Sequence, residues 1–171
     1  MTAPLVQIPV GVLVERRKSS NKWLDFTWRV VGVLLGKPAA AAWTRLSGDD
    51  EATIFYAGSA TIELHRSETA NYLYNLQAAR PLVWVRLRPA AGNPPYSVAA
   101  VTADPSEGEA FTEAGDDLVD AVPMPDPVRA ALEAIVAEHH VERPFTKRKR
   151  DRADPEALSH RAPIRQDRDH E

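Results

Sequence analysis

A chain of 171 residues, 44% of them apolar and 26% charged, is long enough for one domain with a real core and short for two. It holds no cysteine, which excludes disulfides, thiolate catalysis and sulfur-ligated metals and fits a cytoplasmic protein. The net charge of −3 is uneven: residues 1–140 carry 12 basic against 17 acidic groups and residues 141–171 carry 9 against 7, so the body is acidic and no nucleic-acid partner is expected of it.

The opening stretch MTAPLVQIPVGVLVERRKSS has neither a basic leader nor a small-residue cleavage site, and it reads as mature protein. No apolar run approaches the length of a bilayer-spanning helix, so no membrane partner is expected. Val10, Val12 and Val14 alternate, which predicts a strand over 8–16. SSNKWLD breaks it, and WRVVGVLL, residues 28–35, predicts a second, buried strand ended by Gly36, Lys37 and Pro38. AAAWTRLS and EATIFYAG flank the turn signal GDD and predict a hairpin. In ATIELHR, Ile62 and Leu64 point to one face and Thr61, Glu63 and His65 to the other, as in a half-buried strand.

Ser67 offers an N-cap and Glu68 suits a first turn, which predicts a short helical turn over 67–71. NYLYNL is then expected to return to extended structure, with Tyr72 and Tyr74 packing that return. PLVWVRL and YSVAAVTA predict two further strands joined by the loop PAAGNPP. Asp104, Pro105 and Glu107 form a helix-start signal, followed by a short helix interrupted at Gly108 and anchored by Phe111. DPVRAALEAIVAEHH places Val128, Ala131, Leu132, Ile135, Val136 and His139 on one stripe, with Asp126 as cap and Pro127 opening the helix. Such a helix needs a sheet face to cover. The element order predicts an α+β fold: a mostly antiparallel sheet, curled as a roll or open barrel, with a short helix and a C-terminal amphipathic helix packed on it. Residues 1–142 form the single domain in this reading, and 143–171 a charged, disordered tail. Its KRKRDR run looks like a nuclear or nucleic-acid signal, but the acidic residues after it favour a solvated tether that orders on a partner.

Chemistry is sparse. His139 and His140 are neighbours that cannot face one ligand, no H-x-x-x-H pair occurs, and no metal site is expected. The serines sit in no G-x-S-x-G elbow, no phosphate-binding glycine loop occurs, and no cofactor is expected. Glu63 and His65, two apart on one strand face, are the single candidate acid–base pair, although any half-exposed strand shows such spacing. ERRKSSNKW, residues 15–23, gathers Arg16, Arg17, Lys18 and Lys22 beside Trp23. The favoured expectation is a solvated turn with Trp23 folded back onto the core; the alternative is a docking surface for an acidic segment or a phosphate. His65 and Arg66, at a strand end beside a loop, stand where binding residues tend to lie.

The order of VLVERRKSSNKW, WRVVGVL, ELHRSETANYLYNL, PLVWVRLR and VPMPDPVRAALEAIVAEHHVERPFTKRKR resembles a bacterial family, the domain-of-unknown-function 3305 type. Its members show E-R-R near the start, N-[KR]-W soon after, an E-L-H-R strand end and V-P-M-P before a final helix. Those motifs stand here at Glu15, Arg16 and Arg17; at Asn21, Lys22 and Trp23; at Glu63, Leu64, His65 and Arg66; and at Val122 to Pro125. The resemblance spans about residues 8 to 150. Genes of that family tend to lie beside those of molybdenum-dependent formate dehydrogenases and their accessory proteins. The resemblance therefore implies a non-enzymatic accessory protein that binds formate dehydrogenase or its maturation factors. The first alternative is an anion-binding domain in molybdenum-cofactor handling, using Arg16, Arg17, His65 and Arg66 together. The second is an enzyme acting through Glu63 and His65. No catalytic residue carries over from the family.

Overall fold

The computed structural model describes residues 2–113 and 115–142, and the expected tail lies outside them. Among the described residues, seven strands form two antiparallel sheets that do not close into one barrel. In the first, β1 (Val6–Lys18), β2 (Phe26–Leu35), β3 (Thr44–Gly48) and β4 (Ala52–Leu64) lie in the order β2-β1-β4-β3. In the second, β5 (Leu82–Pro89), β6 (Tyr96–Thr102) and β7 (Leu118–Pro123) lie in the order β6-β5-β7. Three α-helices lie among the described residues: α1 (Thr69–Leu76), α2 (Pro105–Thr112) and α3 (Asp126–His139).

β1 is the spine of the first sheet, paired along most of its length with β2 and β4. Its alternation places Val10, Val12 and Val14 fully in the core. Both ladders slip by one residue near Leu13, skipping Val31 in β2 and Ala57 in β4. Such bulges bend and twist a sheet, which curls the long strands around the core. Beside the slip, Gly58 holds φ +141°, and a Cβ there would lie 3.4 Å from Val98 on β6. The two sheets also meet through a side chain: the Val30 N–H in β2 donates to Asp120 on β7 at 2.8 Å. Between the sheets the valines of β1 join Ile62, Leu64, Val83, Val85, Leu87 and Val101 in one apolar cluster.

Several expectations are corrected. EATIFYAG and ATIELHR are a single strand, because the positive φ of Gly58 lets β4 bend without breaking. The helical turn begins at Arg66–Glu68 as a 3₁₀ turn, and Ser67 bonds Glu68 instead of capping it. NYLYNL is helix, not strand. Thr69, Tyr72 and Asn75, three residues apart, are its buried stripe. Tyr74 faces outward. Asn75 fixes that helix, donating to the carbonyls of Leu82 and Ala103 and accepting from the Leu82 N–H.

α2 continues through Gly108, and the glycine there lets the helix approach Trp84: a Cβ would fall onto the ring, 2.5 Å from Cδ2 and 2.7 Å from Cδ1. Its start follows the expected signal with a relay. Asp104 accepts from Ser106 N–H at 2.8 Å, while Glu107 takes the Thr102 hydroxyl, whose oxygen accepts from Asp104 N–H. LVDAVP forms the unexpected strand β7, paired with β5 from Leu82–Pro123 to Leu87–Leu118. Pro125, not Asp126, occupies the cap position of α3. Val128, Leu132 and Ile135 on its stripe are buried as expected in one apolar cluster with the strand valines, and α3 also runs close to α1.

Candidate functional site

The β1–β2 hairpin carries most of the residues singled out from sequence. Its turn, residues 19–25, is held by its own short polar side chains. Ser19 Oγ accepts from Asn21 N–H, and Asn21 Oδ1 accepts from Trp23 N–H, both at 3.0 Å. Ser19 N–H and Leu24 N–H close the loop onto the carbonyls of Asp25 and Asn21. Asn and Ser favour such turns because their side chains substitute for backbone acceptors. Asn21 is thus a positioning residue, and what it positions is exposed. Trp23 is 81% exposed and Leu24 54%, so the expectation that the indole folds back on the core is overturned. Lys22 Nζ lies 5.3 Å over the indole ring.

Behind this tip the side chains of β1 alternate. Arg16 lies on the face that carries Phe26 and Phe55, with its guanidinium 4.4 and 5.3 Å from their ring centres. It pairs with no carboxylate among the described residues, and it lines an open cleft with Lys18, Asp25, Phe26 and Asp50. Arg17 lies on the opposite face, where it meets Glu15. Arg29 of β2 reaches the same carboxylate at 2.9 Å. Glu15 is 8% exposed. The Arg29 hydrogen bond, against the opposing effect of burial and with help from Arg17, holds its carboxyl below the ordinary value of 4.5.

His65 and Arg66 lie at the far end of the sheet. The β1–β4 ladder pairs Arg17 with Ala52 and Val6 with Leu64, which separates the two groups by roughly 35–40 Å of strand. One anion site built from Arg16, Arg17, His65 and Arg66 is therefore not formed. His65 Nε2 stands 3.7 Å from Glu63 Oε2, beyond hydrogen-bond reach, while Gln7 donates to the other Glu63 oxygen. The two share a crevice between β4 and β6 with Ser59, Thr61 and Glu107. The His65 backbone N–H donates to the Tyr72 hydroxyl oxygen at 2.9 Å, and burial pushes that phenol up to about 12. Among the described residues no group of three or more His, Asp or Glu side chains is placed to hold a metal ion, and no helix is long and apolar enough to cross a membrane.

The family described as protein of unknown function, DUF3305, matches residues 9–149. The chain belongs to that family. No curated protein and no solved structure matches it. In this DUF3305 chain the E-R-R motif divides its labour: Glu15 orients, Arg17 stays with it on the outer face, and Arg16 crosses to the aromatic face. The N-K-W motif forms the exposed knuckle. Arg29 escaped the sequence reading, although a hairpin closed at Lys18 and Phe26 places it opposite Glu15 when three residues are counted back along each strand. Asp120 gave no such signal, because its strand was not anticipated.

Proposed function

We propose that this protein is a non-enzymatic accessory protein that docks on another protein through the tip of its β1–β2 hairpin, and that it serves the maturation or assembly of a molybdenum-dependent formate dehydrogenase. The observation that carries the docking reading is Trp23, four-fifths exposed on a turn whose hydrogen bonds hold it in place. An exposed indole loses stability to no one when folded alone, and it gains most when a partner covers it; Trp and Arg dominate the energetics of interfaces for this reason. The preformed turn lowers the ordering cost of association. The surroundings are mixed in charge, with Arg16 and Lys18 sharing a cleft with Asp25 and Asp50, which suits a protein surface better than an anionic membrane. The choice of partner rests on the gene neighbourhood that the family resemblance implies.

The test is affinity purification of tagged protein from cells expressing the dehydrogenase. Wild type should enrich dehydrogenase subunits or their maturation factors. Trp23→Ala should lose most of that enrichment while keeping the wild-type thermal midpoint, since so exposed a side chain contributes little to folding. Enrichment that survives the substitution would move the interface elsewhere; none of these proteins enriched by wild type would remove the partner assignment.

A further inference from the structure

Two guanidinium groups on the outer face of the β1–β2 hairpin share one carboxylate. Arg29 Nε lies 2.9 Å and Arg17 Nε 3.3 Å from the same oxygen, Glu15 Oε1, and Arg17 Nη2 lies 3.4 Å from Oε2. The Glu15 side chain is 10% exposed, whereas those of Arg17 and Arg29 are 57% and 62% exposed. The carboxylate is the covered centre and the guanidinium groups are its open rim. Neutralising one buried carboxylate takes one cation, so the trio carries a surplus of one positive charge. No other acidic side chain among the described residues pairs with either arginine. Arg29 spends only its Nε on Glu15, which leaves both of its Nη groups as donors. Thr27 and Trp28, whose ring turns to the opposite face against Trp43, Phe55 and Tyr96, complete the lining of an open cavity of about 370 Å³ around the trio.

We propose that Arg17 and Arg29, aligned by Glu15, form a receptor for a single carboxylate group. The reading goes beyond the docking role of Trp23 and does not depend on it. Guanidinium forks match the two oxygens of a carboxylate in geometry, and one carboxylate cancels the surplus charge. A dianionic phosphate would overshoot it and would sit against the Glu15 charge. Glu15 acts as a positioning residue: it withdraws Nε donors that would otherwise rotate freely and turns the remaining donors outward. The ligand is either a small organic acid or an acidic side chain of an extended peptide, and both present the same group.

The experiment follows the Arg Nε–Hε resonances of the full chain while sodium acetate, sodium benzoate or a blocked peptide with one internal glutamate replaces sodium chloride at constant ionic strength. Arg17 and Arg29 should shift saturably with acetate and with benzoate. A peptide that binds more tightly than benzoate identifies the source as a protein side chain; the reverse order identifies a small acid. Arg29→Lys keeps the charge and loses the fork, so affinity should fall about tenfold, equivalent to about 1.4 kcal/mol. Glu15→Gln separates positioning from simple attraction. It raises the local charge, so affinity falls if Glu15 aligns the donors and rises if anions respond only to charge. Trp23→Ala should leave the titration unchanged. The proposal is overturned by tighter binding in Glu15→Gln, by shifts that chloride reproduces, by inorganic phosphate outcompeting acetate, or by no saturable shift in wild type. Amide spectra confirm folding of each variant, and Arg29→Lys alone decides if Glu15→Gln fails to fold.

Discussion

Replacing Gly108 by Ala sets two known effects against each other. In a solvated helix interior the change stabilises by about 1 kcal/mol, because alanine restricts the unfolded chain and glycine does not. Here the new Cβ meets the Trp84 indole at 2.5 Å from Cδ2 and 2.7 Å from Cδ1, where ordinary contact begins near 3.4 Å. The ring is rigid, and β5, which carries it, is the central strand of its sheet. Neither side can yield by an ångström without shifting backbone, so the cost belongs at the upper end of overpacking, about 3 kcal/mol. The net expectation is a loss of about 2 kcal/mol, or about 4–8 °C in thermal midpoint for a chain of this size. Urea titration followed by far-ultraviolet circular dichroism should show a lower midpoint at unchanged slope. On a Trp84→Leu background the same substitution should become neutral or stabilising, a coupling that a double-mutant cycle reads directly. A Gly108→Ala protein as stable as wild type would refute the close packing of α2 on β5.

Asn75→Ala should cost about 3–5 kcal/mol in urea titration, because it strips partners from the Leu82 N–H and from the carbonyls of Leu82 and Ala103 at once; a loss below about 1 kcal/mol would show that water replaces the amide. The Tyr72 phenol, raised to about 12 in the folded state from 10, stabilises the neutral form, so its contribution is complete below pH 10 and is lost as pH rises from 10 toward 12. Tyr72→Phe should flatten that alkaline decline in thermal midpoint while lowering stability at neutral pH through the lost acceptor for His65 N–H. Glu15 has the opposite sign: its carboxyl is held below 4.5, so its contribution is present above pH 4.5 and is lost as pH falls through the lowered folded value. The acid decline should therefore be shallower in Glu15→Gln, and identical acid limbs would show that the two arginines do not favour the ionised form.

The long strands were legible because burial imposes a period of two on them: Val10, Val12 and Val14 declared β1, and Ile62 with Leu64 declared the end of β4. The stripe of α3 was legible for the corresponding reason at helical period. β7 was not, because Asp120 and two prolines flank or interrupt its few apolar residues, and its conformation follows from pairing with β5 across a long stretch of chain. NYLYNL misled because tyrosine favours extended structure and asparagine is a poor helix former, while Asn75 makes three distant hydrogen bonds from the helix. At the candidate site, E-R-R and N-K-W marked the right hairpin. Which arginine faces which side follows from alternation, but the exposure of Trp23 depends on the turn bonds of Ser19 and Asn21.

The contact from Val30 to Asp120 gives the molecule a reporter of its own. Within β2, N–H groups that point toward β1 exchange with solvent only when the ladder itself opens. The Val30 N–H points the other way, to a carboxylate on the neighbouring sheet. Its exchange with deuterium therefore measures the parting of the two sheets, separately from the unravelling of either. The sheets are joined there by one side chain in place of a rung, so the seam can loosen while both remain folded. The exchange rates at Val30 and at Arg29, its neighbour in sequence, each corrected for its intrinsic rate, give the difference in free energy between loosening that seam and opening the ladder, read from a single sample.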